Sequence, residues 1–165
     1  MNNSCSQLSL DFYQEKSLKV QFSGLDLSSD SGLLLIRQGE QNKKICEGIA
    51  NCLEDNRENG KIKHSLQELV SQRVYQIAAG YEDTNDSNYL RHDPIFKIAC
   101  ERLPISGENL LASQPTMSRW ENQIKKKEQS AIRRLFVERF ISSYEEEPEE
   151  IVLDIDATDD PLHGD

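Results

Sequence analysis

Long hydrophobic runs are missing from this 165-residue sequence, and the longest, Leu33 to Ile36, is four residues. A membrane-spanning helix needs about 18 apolar residues in a row, so no span is expected. The amino terminus, Met1-Asn2-Asn3-Ser4-Cys5-Ser6, lacks the basic segment and apolar core of a secretory signal. That reads as a cytoplasmic chain. Paired cysteines are absent too. Cys5, Cys46, Cys52 and Cys100 form no C-x-x-C pair, and with His64, His92 and His163 they make no zinc spacing. Reduced thiols in a reducing compartment are the expectation. The last 21 residues lack positive charge: Glu145 to Asp165 holds ten acids and no Lys or Arg. Removing those ten from the 29 acids leaves 19 against 19 bases, so the net charge of −10 belongs to the tail and the body is neutral. Total charge therefore does not decide whether nucleic acid is a partner; local distribution does.

What is present reads mainly as helix. Leu8, Leu10 and Phe12, then Leu18, Val20 and Phe22, alternate with polar residues, which predicts a short β-hairpin. Ser28-Ser29-Asp30 ahead of Leu33 to Ile36 predicts a helix starting near Asp30, and a second helix is expected over about 42–53. Ser65-Leu-Gln-Glu68 is a capping-box pattern. It precedes Leu66, Leu69, Val70, Val74, Ile77, Ala78 and Tyr81, which fall on one helical face, with Gly80 as the stop. Asp93-Pro94 starts another helix, with aspartate as cap and proline in the first turn. Further helices are expected from Pro115 and over about 126–144, the last with Ile132, Leu135, Phe136, Phe140 and Ile141 on its core side.

After Pro148 the character changes. Ile151-Val-Leu-Asp-Ile155 is rich in β-branched residues and ends on Asp156, as a strand entering a central sheet would. A carboxylate at a strand end can hold a divalent metal for phosphoryl transfer, although aspartates at strand ends also cap the next turn. The domain reading is a helical unit over 1–147 and the start of a second unit over 148–165. The fold class expected is mostly α with a short N-terminal hairpin, followed by the opening strand of an α/β domain.

Pro148-Glu-Glu-Ile-Val-Leu-Asp-Ile-Asp-Ala-Thr-Asp-Asp-Pro-Leu-His-Gly164 resembles the first catalytic motif of DDE transposases of bacterial insertion sequences, most of all the group numbered thirteen-eighty. Three upstream stretches agree in order: Val20-Gln-Phe-Ser-Gly with Leu27-Ser-Ser-Asp-Ser-Gly-Leu-Leu-Leu35, Leu90-Arg-His-Asp-Pro-Ile-Phe-Lys97, and Leu111-Ala-Ser-Gln-Pro-Thr-Met-Ser-Arg-Trp-Glu-Asn122. The resemblance implies a ribonuclease-H-like catalytic domain. Three acids there hold two divalent metals, usually Mg2+, and act on double-stranded DNA at the element's terminal inverted repeats. The family's first acid falls on Asp156, with Asp154 as the nearest alternative. Because the family's second and third acids have no counterpart before Asp165, the expectation is an amino-terminal fragment that is inactive alone. It would bind DNA at most, with a homodimer possible. The alternative is a helix-turn-helix regulator or inhibitor without catalytic activity; a third is an interaction module with an acidic tail.

Ser113 to Glu121 is similar to the turn and recognition helix of helix-turn-helix proteins. Gln114 suits adenine, Arg119 suits guanine or phosphate, and Thr116 and Ser118 suit phosphate. Lys125, Lys126 and Lys127 follow, and Arg119 to Arg139 carries seven bases against three acids. The same stretch could instead serve packing through Met117 and Trp120, or form a solvated face. The preceding helix also lies some ten residues upstream, whereas a compact motif has a turn of about 3–4 residues.

Overall fold

The computed structural model describes residues 8–10, 18–20, 29–104 and 108–155. Helix α3, Leu66–Ala78, is the hub. Ser65 starts it as the sequence predicts, its Oγ accepting from the Glu68 N–H at 3.1 Å. The reciprocal half of the capping box is not made. The Glu68 carboxylate turns instead to His64, at 3.1 Å from Nδ1, and to Arg102. Gly80, at φ 87°, takes the left-handed conformation after the helix end, which a side chain would resist.

Three apolar clusters are arranged around α3. Tyr75 joins Leu33, Leu90, Phe96, Ala99, Cys100 and Leu111. Val70 joins Cys46 and Ala50. Leu69 joins Ala112 and Met117. The surrounding helices are α1 (Leu33–Lys43), α2 (Ile45–Asn51), α4 (Ser87–Leu90), α5 (Pro94–Ala99), α6 (Gln114–Glu121) and α7 (Lys126–Ile141). Asp93 caps α5 as expected, accepting from Ile95 N at 2.7 Å and Phe96 N at 3.0 Å, with Pro94 in the first turn. The first two helices are separated at Lys44, which sits at φ 50°. Glu40 makes that break tolerable, because its carboxylate accepts from the exposed amides of Ile45 and Cys46 at 3.0 and 2.7 Å.

The expected fold class is corrected by this architecture. The described residues are built from helices and no β layer forms. Among the described residues, strand pairing is confined to Leu8–Leu10 (β1) and Leu18–Val20 (β2), three residues each and antiparallel. A two-stranded ribbon of that length cannot serve as a layer of a fold. At the other end, 151–155 has no regular secondary structure and is exposed, with Val152 at 84% and Ile155 at 88%. Over the described residues 151–155, the strand expected to open a ribonuclease-H-like sheet is therefore not formed. β-branched composition favours extended backbone, but a strand needs a neighbour to pair its amides. The assignment of Phe136, Phe140 and Ile141 to a core side also fails: all three are exposed. Only Glu128 is buried along α7, whose attachment to the body includes Leu135 packing close to Gly48.

Candidate nucleic-acid interface

Helix α6 stands on a pedestal of buried polar bonds. Gln72, fully buried in α3, clamps the backbone of Ala112: its Nε2 donates to the Ala112 carbonyl at 2.9 Å, and its Oε1 accepts from the Ala112 N–H at 2.9 Å. Two residues later α6 begins, with Pro115 in its first turn. Met117 is fully buried beneath it, and Trp120 packs partly against the clusters of Val70 and Leu69. Asn88 of α4 accepts from the Gln114 N–H at 3.2 Å, and Arg73 of α3 donates to Glu121 at 2.6 Å. The helix is thereby fixed at both ends and along its underside.

The packing role of Met117 and Trp120 and an outward polar edge therefore coexist on one helix. Arg119 is exposed, and its Nε donates back to the Pro115 carbonyl at 2.9 Å, which orients the guanidinium along the helix. Thr116 Oγ1 lies 3.2 Å from Ser113 Oγ, and Ser118 is engaged by Asn122. Gln114 is half-buried at the helix start. The basic run is less free than its composition suggests. Lys127 donates to Glu54 at 3.1 Å, Lys125 lies 3.9 Å from the same carboxylate, and Lys126 is exposed. Glu128 holds this corner together, accepting from the Glu54 N–H at 2.8 Å and the Lys125 N–H at 2.7 Å. Those two backbone bonds hold its carboxyl below the usual range. The short connection adjoining α6 is residues 122–125, leading to α7, while fourteen residues, 100–113, separate α5 from α6. A compact motif made of α5 and α6 is thus excluded.

Facing α6 is a feature that sequence reading did not single out. A cleft of about 400 Å³ is lined by Arg57, Lys61, Lys63 and His64 on one side and Thr116, Arg119, Trp120 and Gln123 on the other. Its lining includes no carboxylate residue. Arg57 is committed to holding the loop, donating to both Asp55 oxygens at 2.7 Å and to the His64 carbonyl at 2.9 Å. Arg102 ties the loop to the body through the carbonyls of Lys63 and Leu110, each at 3.1 Å, and through Glu68. Burial pushes the Glu68 carboxyl up, but the bonds from His64 and Arg102 outweigh it and hold the group ionised below its ordinary range.

The family described as Transposase DDE domain group 1 matches residues 10–165, nearly the whole chain. The chain belongs to the DDE transposase family. No curated protein and no solved structure matches it. Transposition is thus the function class of this DDE-family protein, with DNA the partner and a divalent metal the cofactor that membership implies. The described residues do not fit such a metal: none of them form a group of three or more His, Cys, Asp or Glu able to hold one. Asp154 is exposed, and Asp156 lies outside the described residues. No helix among the described residues is long and apolar enough to cross a membrane.

Proposed function

We propose that this DDE-family protein engages the terminal inverted repeats of an insertion sequence, of the thirteen-eighty type its motifs resemble, through the outward edge of α6. The observation that carries the reading is the pedestal. Gln72, Met117 and the Arg73–Glu121 pair fix α6 while Arg119 stays exposed. Groups held rigidly on a helix discriminate better than groups that must first be ordered. Gln114 and Arg119 supply base-edge and phosphate chemistry, Thr116 and Ser118 supply hydroxyls, and exposed Lys126 adds charge with less help from Lys125 and Lys127. Residues 1–147 form the DNA-engaging unit. Asp156 is the first metal-holding acid, with Mg2+ the ion, an assignment supported by its D-x-T match. The test is fluorescence anisotropy of the full chain with a terminal-repeat duplex and a scrambled duplex. Arg119→Ala weakens repeat binding by about 1–3 kcal/mol. Unchanged affinity for both duplexes would overturn the reading.

A second copy of the chain is proposed as the partner of α7. Phe136, Val137, Phe140, Ile141 and Tyr144 form an exposed apolar stripe at steps of three and four residues. The stripe lies uncovered on one side of the chain, and two-fold pairing with a second copy would let the same patch cover itself. Light scattering should give a dimer mass that Phe140→Glu reduces to that of a monomer. A monomeric wild type throughout a concentration series would refute it.

A further inference from the structure

We propose that the 57–64 loop is the second wall of a phosphate clamp, in which Lys63 and Arg119 reach backbone phosphates of one DNA strand from opposite sides of the cleft. The proposal rests on the α6 reading and adds a sequence-independent contact to it. Cations from two distant parts of the chain line one open cleft, and no carboxylate shares its wall. A recess with walls of one sign concentrates the field on an anion. A volume of about 400 Å³ lies in the range that admits groups the size of a small ligand, so a phosphodiester fits.

The basic side chains of the lining divide by what else they do. Arg57 and His64 are occupied: Arg57 by Asp55 and the His64 carbonyl, His64 by Glu68 and Arg102. They are positioning residues that shape the loop. Lys61 forms an exposed pair with Glu58 at 2.7 Å, a kind of contact weak enough for a phosphate to replace. Lys63 is exposed, and its backbone carbonyl is anchored by Arg102. Its ammonium therefore starts from a fixed point on the rim. Arg119 lines the cleft and bonds the Pro115 carbonyl through Nε, which leaves its two terminal nitrogens for a charge-assisted contact.

A phosphate contact carries no base information, which separates the clamp from base reading on α6. Anisotropy salt titrations of the full chain, with terminal-repeat and scrambled duplexes, test it. One phosphate contact contributes a slope of about 0.9 in log K against log salt, equivalent to about eightfold in affinity at 0.1 M salt. Lys63→Ala should weaken both duplexes by about that factor and lower the slope by about 0.9, and Lys63→Arg should restore both. Inorganic phosphate should compete only at concentrations far above those of duplex. If Arg119→Ala weakens binding while Lys63→Ala leaves affinity and slope unchanged, the clamp is overturned and the α6 reading stands. If neither substitution has an effect, or the wild type does not bind, both fail. A Lys63→Ala loss confined to the terminal repeat would overturn the phosphate assignment, and equal competition by free phosphate would overturn the DNA assignment of the cleft.

Discussion

Replacing Gln72 by leucine should destabilise the protein far more than a glutamine in the middle of a helix would suggest. The side chain is fully buried and makes both of its backbone bonds to one residue, Ala112, each at 2.9 Å. Leucine fills a similar volume, so the loss is not a cavity; it is a backbone donor and a backbone acceptor left unpaired away from water. Each unpaired group costs about 1–3 kcal/mol, which puts Gln72→Leu at about 3 kcal/mol with a ceiling near 6. For a chain of this size that corresponds to roughly 6–12 °C in Tm. Gln72→Glu separates the two bonds. Its carboxylate still accepts from the Ala112 N–H but repels the Ala112 carbonyl, so it should be the less stable variant at neutral pH. It should recover as acidification lets the carboxyl donate. Urea denaturation followed by far-UV circular dichroism measures all three proteins. A Gln72→Leu loss within about 0.5 kcal/mol, the range of an ordinary surface change, would refute the account of the pedestal.

Glu128→Ala should cost about 1–2 kcal/mol, as loss of a helix cap does, because two amides lose their acceptor. Its folded carboxyl lies below the ordinary value, so its contribution is complete above the ordinary carboxylate range and lost as pH falls through the folded value. The stability gap between wild type and Glu128→Gln should therefore shrink on acidification; a pH-independent gap in urea denaturation would count against it. Thiol labelling at mildly alkaline pH should spare Cys46 and Cys100 in the native protein. Burial pushes the Cys46 thiol up to about 12, with the nearby Glu40 carboxylate adding to it, and pushes Cys100 up as well. Of the three cysteines among the described residues, half-buried Cys52 should label first, as peptide mass spectrometry would show, and equal rates at Cys46 and Cys52 would refute the packing around Cys46.

Local signals in the sequence translated where the chemistry was local. Ser65 and Asp93 cap their helices because a short side-chain oxygen reaches amides two or three residues away. Glu40 shows the limit. Its carboxylate caps a helix starting five residues on, and the resulting break at Lys44 has no glycine or proline to mark it. The 57–64 loop reads as a polar connection because its cations gain meaning only from Arg119, some sixty residues away, across the cleft.

The errors about burial on α7 and in the segment after it share one cause. Phe136, Phe140 and Ile141 on α7, and Ile151 to Ile155 after it, have the periodicity or composition of buried segments and are exposed. Pattern reports that a face is suited to burial, not what covers it, and neither segment finds its cover among the described residues. Gln72 and Gln76 are the converse case: polar side chains buried on the core side of α3, Gln72 with both its amide atoms bonded to Ala112 and Gln76 with its Nε2 donating to Ser87. Along α3, hydropathy would have turned those two positions outward, although one of them, Gln72, clamps the chain just ahead of α6. The candidate site is therefore least legible where it is best supported. The groups that fix α6 act through long-range pairing, while the groups it presents outward, Gln114, Thr116 and Arg119, follow one another in the sequence and could be read directly.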